Sequence, residues 1–294
     1  MSDPVQSQAN AQSRAVTSER RTSTSASDRR ALLATCVAAA VKGADAVRAQ
    51  THNVSTLEWE EKARADYVSA ADRDSEHAVT DVIRSRHPDA TILGEELSPH
   101  VAAATVQRGL VFVVDPLDGT TNFLHGFPWY AVSIGAMVDG ILAAGVVLNI
   151  PNGDLFTAVE GNGARRNGQP IHVSTITDPI RSLIGTGFPF KSGDHVNEFL
   201  SGFAAVMRAT AGVRRAGAAS LDLADVACGR YEGFWELMLA PWDIAAGILL
   251  VREAGGVVTD LSGAPAAVTH TGLVAGNPAM QPWLLDLLKT SQGA

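Results

Sequence analysis

Cysteine is nearly absent from this sequence. Of 294 residues only Cys36 and Cys228 carry thiols, with no CxxC pair and no His-rich spacing. That excludes a disulfide framework and a zinc site of ordinary ligand spacing, and it fits a reducing cytoplasm. Long apolar runs are missing as well: the richest, residues 141–150, is about half of the roughly 18 residues a membrane span needs, so it reads as a buried strand and no membrane is expected. Positive charge is the minority, 23 Lys and Arg against 31 Asp and Glu, for a formal net charge of -8. A protein that lives on phosphate backbones needs the opposite balance, so nucleic acid is not an expected direct partner. The first 27 residues lack large apolar side chains and a secretory apolar core, and they read as a disordered tail. Their Arg and Ser content suits a transit peptide, but Asp3, Glu19, Asp28 and the missing amphipathic face oppose that reading.

What is present is ordinary globular material, 46% hydrophobic and 18% charged with 27 glycines. Such a chain can bury a core large enough to hold an enzyme site. An acidic protein that handles an anionic substrate needs cations to bridge the two, so acidity joined to phosphate chemistry points to metal ions.

Order is expected from Asp28, read as an N-cap, followed by a helix to about residue 50 with Leu32, Cys36, Ala39 and Val47 on one face. Residues 53–61 read as a loop. DYVSAAD reads as a short strand running into a helix over residues 75–86, which stops at His87-Pro88. TILGEE and LVFVVDPLDG are short β-rich runs that end abruptly in carboxylates. Asp139-Gly140 and Asn167-Gly168 are turn dipeptides of type I′ hairpins, so an antiparallel sheet is expected in this half. Beyond residue 180 strands alternate with helices, the helices over residues 195–210, LDLADVACG, PWDIAAGILLVREAGG and 281–290, which predicts a mixed sheet covered by helices. Gly255-Gly256 is the expected left-handed helix stop, and Trp283, Leu284 and Leu287 are expected to dock the last helix.

The chemistry concentrates in Asp115-Pro-Leu-Asp118-Gly-Thr-Thr-Asn-Phe123. Two carboxylates three positions apart, with Pro116 fixing the backbone and Gly119 permitting a tight turn, can aim both side chains and the Leu117 carbonyl into one volume. Hard divalent cations take such oxygens. A surface turn is the competing explanation for the string alone. Glu95 and Glu96 end one strand as either a solvated pair or a site pair. Asp243 opens a helix as either a helix-start acid or a site acid. Together Glu95, Asp115, Asp118 and Asp243 are enough carboxylates for two or three Mg²⁺ ions.

DPLDGTTNF with HGFPWYAVSIG, the upstream GEE, and PWDIAAG with EAGG together resemble the inositol monophosphatase family of Mg²⁺-dependent, lithium-sensitive phosphomonoesterases. The likeness runs from about residue 30 onward. It implies an α+β fold, a layered αβαβα sandwich of the sugar-phosphatase type, with an N-terminal α+β subdomain over residues 28–175 and a C-terminal α/β subdomain over 176–294. Residue by residue, it implies that Glu95, Asp115 and the Leu117 carbonyl hold one ion, and that Asp115, Asp118 and Asp243 hold a second. Glu95 with Thr120 would activate the attacking water, and Asp72 would support Thr120; as a bare residue, Asp72 reads equally as a cap of the 75–86 helix. The Gly119 and Thr120 N–H groups would receive phosphate, with Thr121 beside them. Asp118, Gly217, Ala218, Ala219, Glu236 and Asp243 would bind the alcohol; by itself Glu236 also reads as a solvated strand residue.

The implied reaction is hydrolysis of myo-inositol 1-phosphate by metal-activated water, without a phosphoenzyme, in a cytoplasmic homodimer. Lys62 matches the family's loop lysine only loosely, so a third-ion role rests on no fixed register. His125 and Trp129 read as core or rim residues, and Arg214 and Arg215 as surface charges or an interface pair. Thr121-Asn122 argues for inositol or sugar phosphates over nucleotides. Histidinol-phosphate phosphatase and fructose-1,6-bisphosphatase remain the rivals for the same site, and a regulatory interaction protein is the rival of another class.

Overall fold

The computed structural model describes residues 24–52, 59–63, 66–97, 105–189 and 195–291. The tail expected over residues 1–27 falls mostly outside this range, and so does the Lys62 side chain. Helix α1 (Ala26–Gln50) is opened by Ser25, not Asp28. The Ser25 hydroxyl accepts from the Asp28 N–H at 3.1 Å while the Asp28 carboxylate accepts from the Ser25 N–H at 3.3 Å, so Asp28 is the return arm of a capping box. Strand β1 (Trp59–Ala63) lies where the sequence suggested a loop, because the polar Trp-Glu-Glu-Lys run carries no apolar alternation to announce a strand; it pairs antiparallel with β2 (Asp66–Ser69), the short strand expected in DYVSAAD. Helix α2 (Ala70–Arg86) begins at Ala70 rather than Ser75, capped by Ser69 with Asp72 in the reciprocal position.

Strands β3 (Thr91–Gly94), β4 (Leu110–Asp118), β5 (Ala131–Val138), β6 (Ile141–Asn149), β7 (Leu155–Val159), β8 (Ala164–Arg166) and β9 (Gln169–Ile171) form one sheet in that order, with the short helix α3 (Thr120–Leu124) between β4 and β5. All neighbours run antiparallel except β3 with β4. Asp139 and Gly140 adopt φ 48° and 79°, and Asn167 and Gly168 φ 51° and 80°, as the two expected type I′ turns require.

The second half contributes β10 (Leu183–Thr186), α4 (Val196–Ala209), β11 (Gly212–Arg214), α5 (Ala219–Ala227), β12 (Gly233–Glu236), α6 (Pro241–Glu253), β13 (Val257–Thr259), β14 (Leu273–Gly276) and α7 (Met280–Ser291). Its sheet has the order β11-β10-β12-β14-β13, parallel across the first three strands and antiparallel across the last three, which makes it the expected mixed sheet. Gly255 takes φ 86° at the end of α6, as expected.

The layers are α1 and α2, the seven-stranded sheet, α5 and α6, the five-stranded sheet, then α4 and α7: an αβαβα sandwich. Alternation along β4 builds the first interface. Phe112 and Val114 pack under α1 and α2, whereas Val111 and Val113 face the middle helices. Helix α6 lies tight on this sheet, because a Cβ at Gly135 would come within 2.8 Å of the Ala245 Cβ. That close approach sets where the start of α6 stands against the end of β4.

Candidate active site

A cavity of about 430 Å³ opens where β3, β4 and β12 end and α5 and α6 begin. Asp115 continues the inward series of Val111 and Val113. Regular alternation would then turn Asp118 outward with Phe112 and Val114, but a bulge intervenes: Asp115 pairs with Ser133 and Asp118 with Ala131, one residue too many on β4. The extra residue turns the Leu117 side chain into the outer core and returns Asp118 to the cavity, so two acids three apart share one face. The Leu117 N–H donates to Asp115 Oδ1 at 3.0 Å and Ser75 Oγ donates to the Pro116 carbonyl at 2.8 Å, which pins the bulge. Gly119 completes the turn at φ 94°, a conformation that favours glycine.

Other elements bring the remaining acids. Glu95 follows β3 directly and lines the cavity; its turn is held by Glu76, a fully buried α2 residue whose carboxylate accepts from Glu96 N–H at 2.7 Å and Leu97 N–H at 3.0 Å. Asp243 sits at the start of α6, where its Oδ2 accepts from the Ala240 N–H at 2.7 Å. It is therefore both a helix-start acid and a cavity residue. Asp72 stands behind the wall and joins both of its readings. Its Oδ2 accepts from the Ser69 N–H and hydroxyl at 2.8 Å each, and its Oδ1 accepts from Thr120 Oγ1 at 2.7 Å. The Thr120 hydrogen is thus spent on Asp72, and an accepting oxygen remains on the cavity side.

Thr120, Thr121, Gly119, Gly217, Ala218, Ala219 and Glu236 line the same cavity. On β12, Phe234 packs into the middle layer and Trp235 into the outer one, so Glu236 returns to the middle layer and to the cavity. A Cβ at Gly187 would collide with its carboxyl group and push it from this position. Asn122 ties the two halves, donating to the Trp129 carbonyl at 2.7 Å and the Ala216 carbonyl at 2.9 Å. His125 is an exposed rim residue, and Trp129 packs against the middle core.

Acids dominate the charge in this cavity, with Arg215 as the opposing cation in its lining. Burial first, then Glu95, Asp118 and Asp243, hold the Asp115 carboxyl well above the ordinary range. Burial pushes Asp118 up to about 6, restrained by the hydroxyl and N–H of Ser220, which donate at 2.5 and 2.8 Å. An opposite charge placed among these carboxylates would favour their ionised forms. Among the described residues no three acids converge closely enough to grip an ion as they stand. The donor set nonetheless fits a hard divalent ion: carboxylates from β4, α6 and the turn after β3, with the Leu117 residue between two of them, all on one cavity.

Sequence reasoning missed several neighbours. Ser220 anchors Asp118, Glu76 holds the Glu95 turn, and Asp222 on α5 is a buried cavity acid. Arg214 and Arg215 are both exposed, as the surface reading had them, but Arg215 also lines the cavity and lies over the Phe188 ring at 5.1 Å. No pattern in a single sequence marks these residues, because their partners lie well beyond one turn or hairpin along the chain, Glu96 20 residues from Glu76 and Asp118 102 from Ser220.

The chain is 45% identical over 219 residues, 74% of its length and 80% of the relative, to a protein of Pseudomonas aeruginosa named Nus factor SuhB. It is 41% identical over 261 residues, 89% of its length and 97% of the relative, to the inositol-1-monophosphatase of Mesorhizobium japonicum. The crystal structure of the extragenic suppressor protein SuhB from Bartonella henselae superposes with a TM-score of 0.83 at 40% identity, covering 88% of this chain and 98% of that one. With the sequence profile of the inositol monophosphatase family matching residues 28–292, the whole described sandwich and its acid-lined cavity included, the chain belongs to that family.

Proposed function

We propose that this protein is a Mg²⁺-dependent phosphomonoesterase that hydrolyses myo-inositol 1-phosphate to inositol and phosphate. Membership of the family supports the phosphatase class, and the relative named inositol-1-monophosphatase supports the substrate. The observation that carries the reading is the single cavity that gathers Glu95, Asp115, Asp118 and Asp243 beside a Thr120 hydroxyl already bonded to Asp72.

In this reading Glu95, Asp115 and the Leu117 carbonyl hold one ion, and Asp115, Asp118 and Asp243 a second. Bound there, Mg²⁺ supplies the positive charge that neutralises the phosphate and acidifies water. The chain's own residues do the rest. Thr120 Oγ1, its hydrogen committed to Asp72 Oδ1, accepts a hydrogen bond from the attacking water, and Glu95 accepts the other, so the water is oriented and its proton removed. The N–H groups of Gly119 and Thr120 receive phosphate oxygens, with Thr121 at their side. Asp118, the Gly217-Ala218-Ala219 segment, Glu236 and Asp243 orient the alcohol. The same proposal includes a third ion as an open count, inhibition by Li⁺, and a cytoplasmic homodimer.

The test is phosphate release with Mg²⁺ from myo-inositol 1-phosphate, histidinol phosphate, fructose 1,6-bisphosphate and 3′-phosphoadenosine 5′-phosphate, with and without Li⁺. Preference for the inositol ester, lost with EDTA or in Asp118→Asn, is expected. No metal-dependent release from any of the four sinks the phosphatase reading. A second reading, a regulatory interaction protein, rests on the Nus factor name of the 45% identical relative. It predicts that Asp118→Asn loses hydrolysis and keeps its binding partners in a pull-down.

A further inference from the structure

Asp222 is a residue of α5 with only 1% of its surface exposed, and it lies in the wall of the cavity. The other buried aspartates have work to do. Asp118 receives two bonds from Ser220, Asp72 serves Ser69 and Thr120, Asp225 pairs with Arg230 at 2.6 Å and Asp154 with Arg166 at 2.6 Å. Asp222 Oδ1 is buried and has no hydrogen-bond partner among the described residues. Folded proteins rarely leave such an acceptor orphaned without a ligand or water to serve it.

Its surroundings say which end of the cavity it belongs to. The charges that bear most on Asp115 are Glu95, Asp118 and Asp243, whereas those that bear most on Asp222 are Glu236, Asp118 and Asp225, with Arg215 opposing them. Asp118 is thus the hinge between two groups of acids, one at the candidate ion site and one at Glu236. Asp222 also stands a helical turn beyond Ala218 and Ala219, on the face that those residues share with the cavity. As a carboxylate or as a neutral acid it keeps an accepting oxygen, so its use does not depend on its protonation.

Resting on the phosphatase reading above, we propose that Asp222 is a specificity-determining residue that works with Glu236 to select an alcohol bearing hydrogen-bond donors on adjacent atoms, as a cyclic polyol does. Glu236 accepts from one hydroxyl and Asp222 from its neighbour. Arg215 offsets part of the negative charge around Asp222, so the selection rests on two accepting oxygens side by side and not on charge.

Three esters separate the outcomes: myo-inositol 1-phosphate, 4-nitrophenyl phosphate, which has no hydroxyl donors, and histidinol phosphate, whose alcohol carries an ammonium. Each is assayed with the full chain in Mg²⁺ for wild type, Asp222→Leu and Asp222→Asn. In Asp222→Leu, kcat/KM for the inositol ester is expected to fall about ten-fold or more, chiefly through KM, and for 4-nitrophenyl phosphate by no more than about three-fold, since a lost hydrogen-bond partner is felt only by the substrate that used it. Asp222→Asn, which keeps one acceptor, falls between, and it carries the test if the leucine variant shows no cooperative melting. An equal loss on the inositol and nitrophenyl esters, no loss on either, or the larger loss on histidinol phosphate overturns the inference. A wild-type protein that hydrolyses none of the esters overturns the phosphatase reading itself, a distinct result that takes this inference with it.

Discussion

Replacing Asp72 by Asn tests the machinery behind the cavity wall. The substitution is nearly isosteric, and the position is 1% exposed, so the change is one of hydrogen-bond polarity rather than shape. Asp72 Oδ2 accepts from the Ser69 N–H and hydroxyl, and Oδ1 from Thr120. The asparagine must keep its oxygen toward the Ser69 N–H, because its amide nitrogen there would set donor against donor. The nitrogen then points at Thr120 and donates to Oγ1, and the Thr120 hydrogen swings to its remaining partner, the Leu117 carbonyl at 3.1 Å. One lone pair of that oxygen is then taken by the amide, which leaves it a weaker acceptor for water, and the hydroxyl hydrogen now engages the Leu117 carbonyl that the proposal gives to an ion. Loss of a positioned general-base contact costs about 10²-fold in kcat, or roughly 2.7 kcal/mol of barrier. The cap survives in weakened form, at about 1 kcal/mol, or a few degrees in melting temperature. Steady-state kinetics on the inositol ester and a thermal melt check both numbers. Combining Asp72→Asn with Thr120→Ala should cost no more than Thr120→Ala alone, because the two act through one oxygen. A kcat in Asp72→Asn within about three-fold of wild type, or full additivity in the double variant, would refute the argument.

Asp118, lifted to about 6 by burial, is an acid whose folded-state value exceeds its unfolded one, so its ionisation weighs against the fold as pH rises through that value. The melting-temperature gap between Mg²⁺ and EDTA samples is therefore expected to be wide near pH 7.5 and to narrow toward pH 5.5; a gap independent of pH would show that these carboxylates are not the ion site. Gly187→Ala drives a Cβ into the Glu236 carboxyl and should raise KM for the inositol ester about ten-fold with a smaller change in kcat, measured by initial rates. Glu76→Ala strips the acceptor from the part-buried Glu96 and Leu97 N–H groups and should cost roughly 1 kcal/mol in denaturant unfolding while raising the Mg²⁺ concentration needed for half-maximal activity. An unaltered Mg²⁺ requirement would remove Glu76 from any role in setting Glu95.

The sequence by itself determined the local chemistry. Asn-Gly and Asp-Gly turns, the left-handed stop at Gly255, the helix starts near Pro241 and Ala219, and the run Asp115 to Phe123 are written in residues whose backbone preferences act over two to five positions. Short-range signals failed where the polar pattern was mute: β1 carried no alternation, β14 is four residues of Leu-Val-Ala-Gly, and the caps at Ser25 and Ser69 sat ahead of the acids that seemed to be caps. The tertiary structure alone decided which acids are neighbours. The β4 bulge turns Asp118 inward, the glycine contacts of α6 bring Asp243 to it, and Ser220, Glu76, Asp222 and Arg215 acquire their parts only through packing between segments distant in the chain. A carboxylate's meaning depends on what lies within a few ångströms of it, because charge and hydrogen bonding fall off over that distance, and the order of residues along a chain does not specify that set until the sheets are stacked.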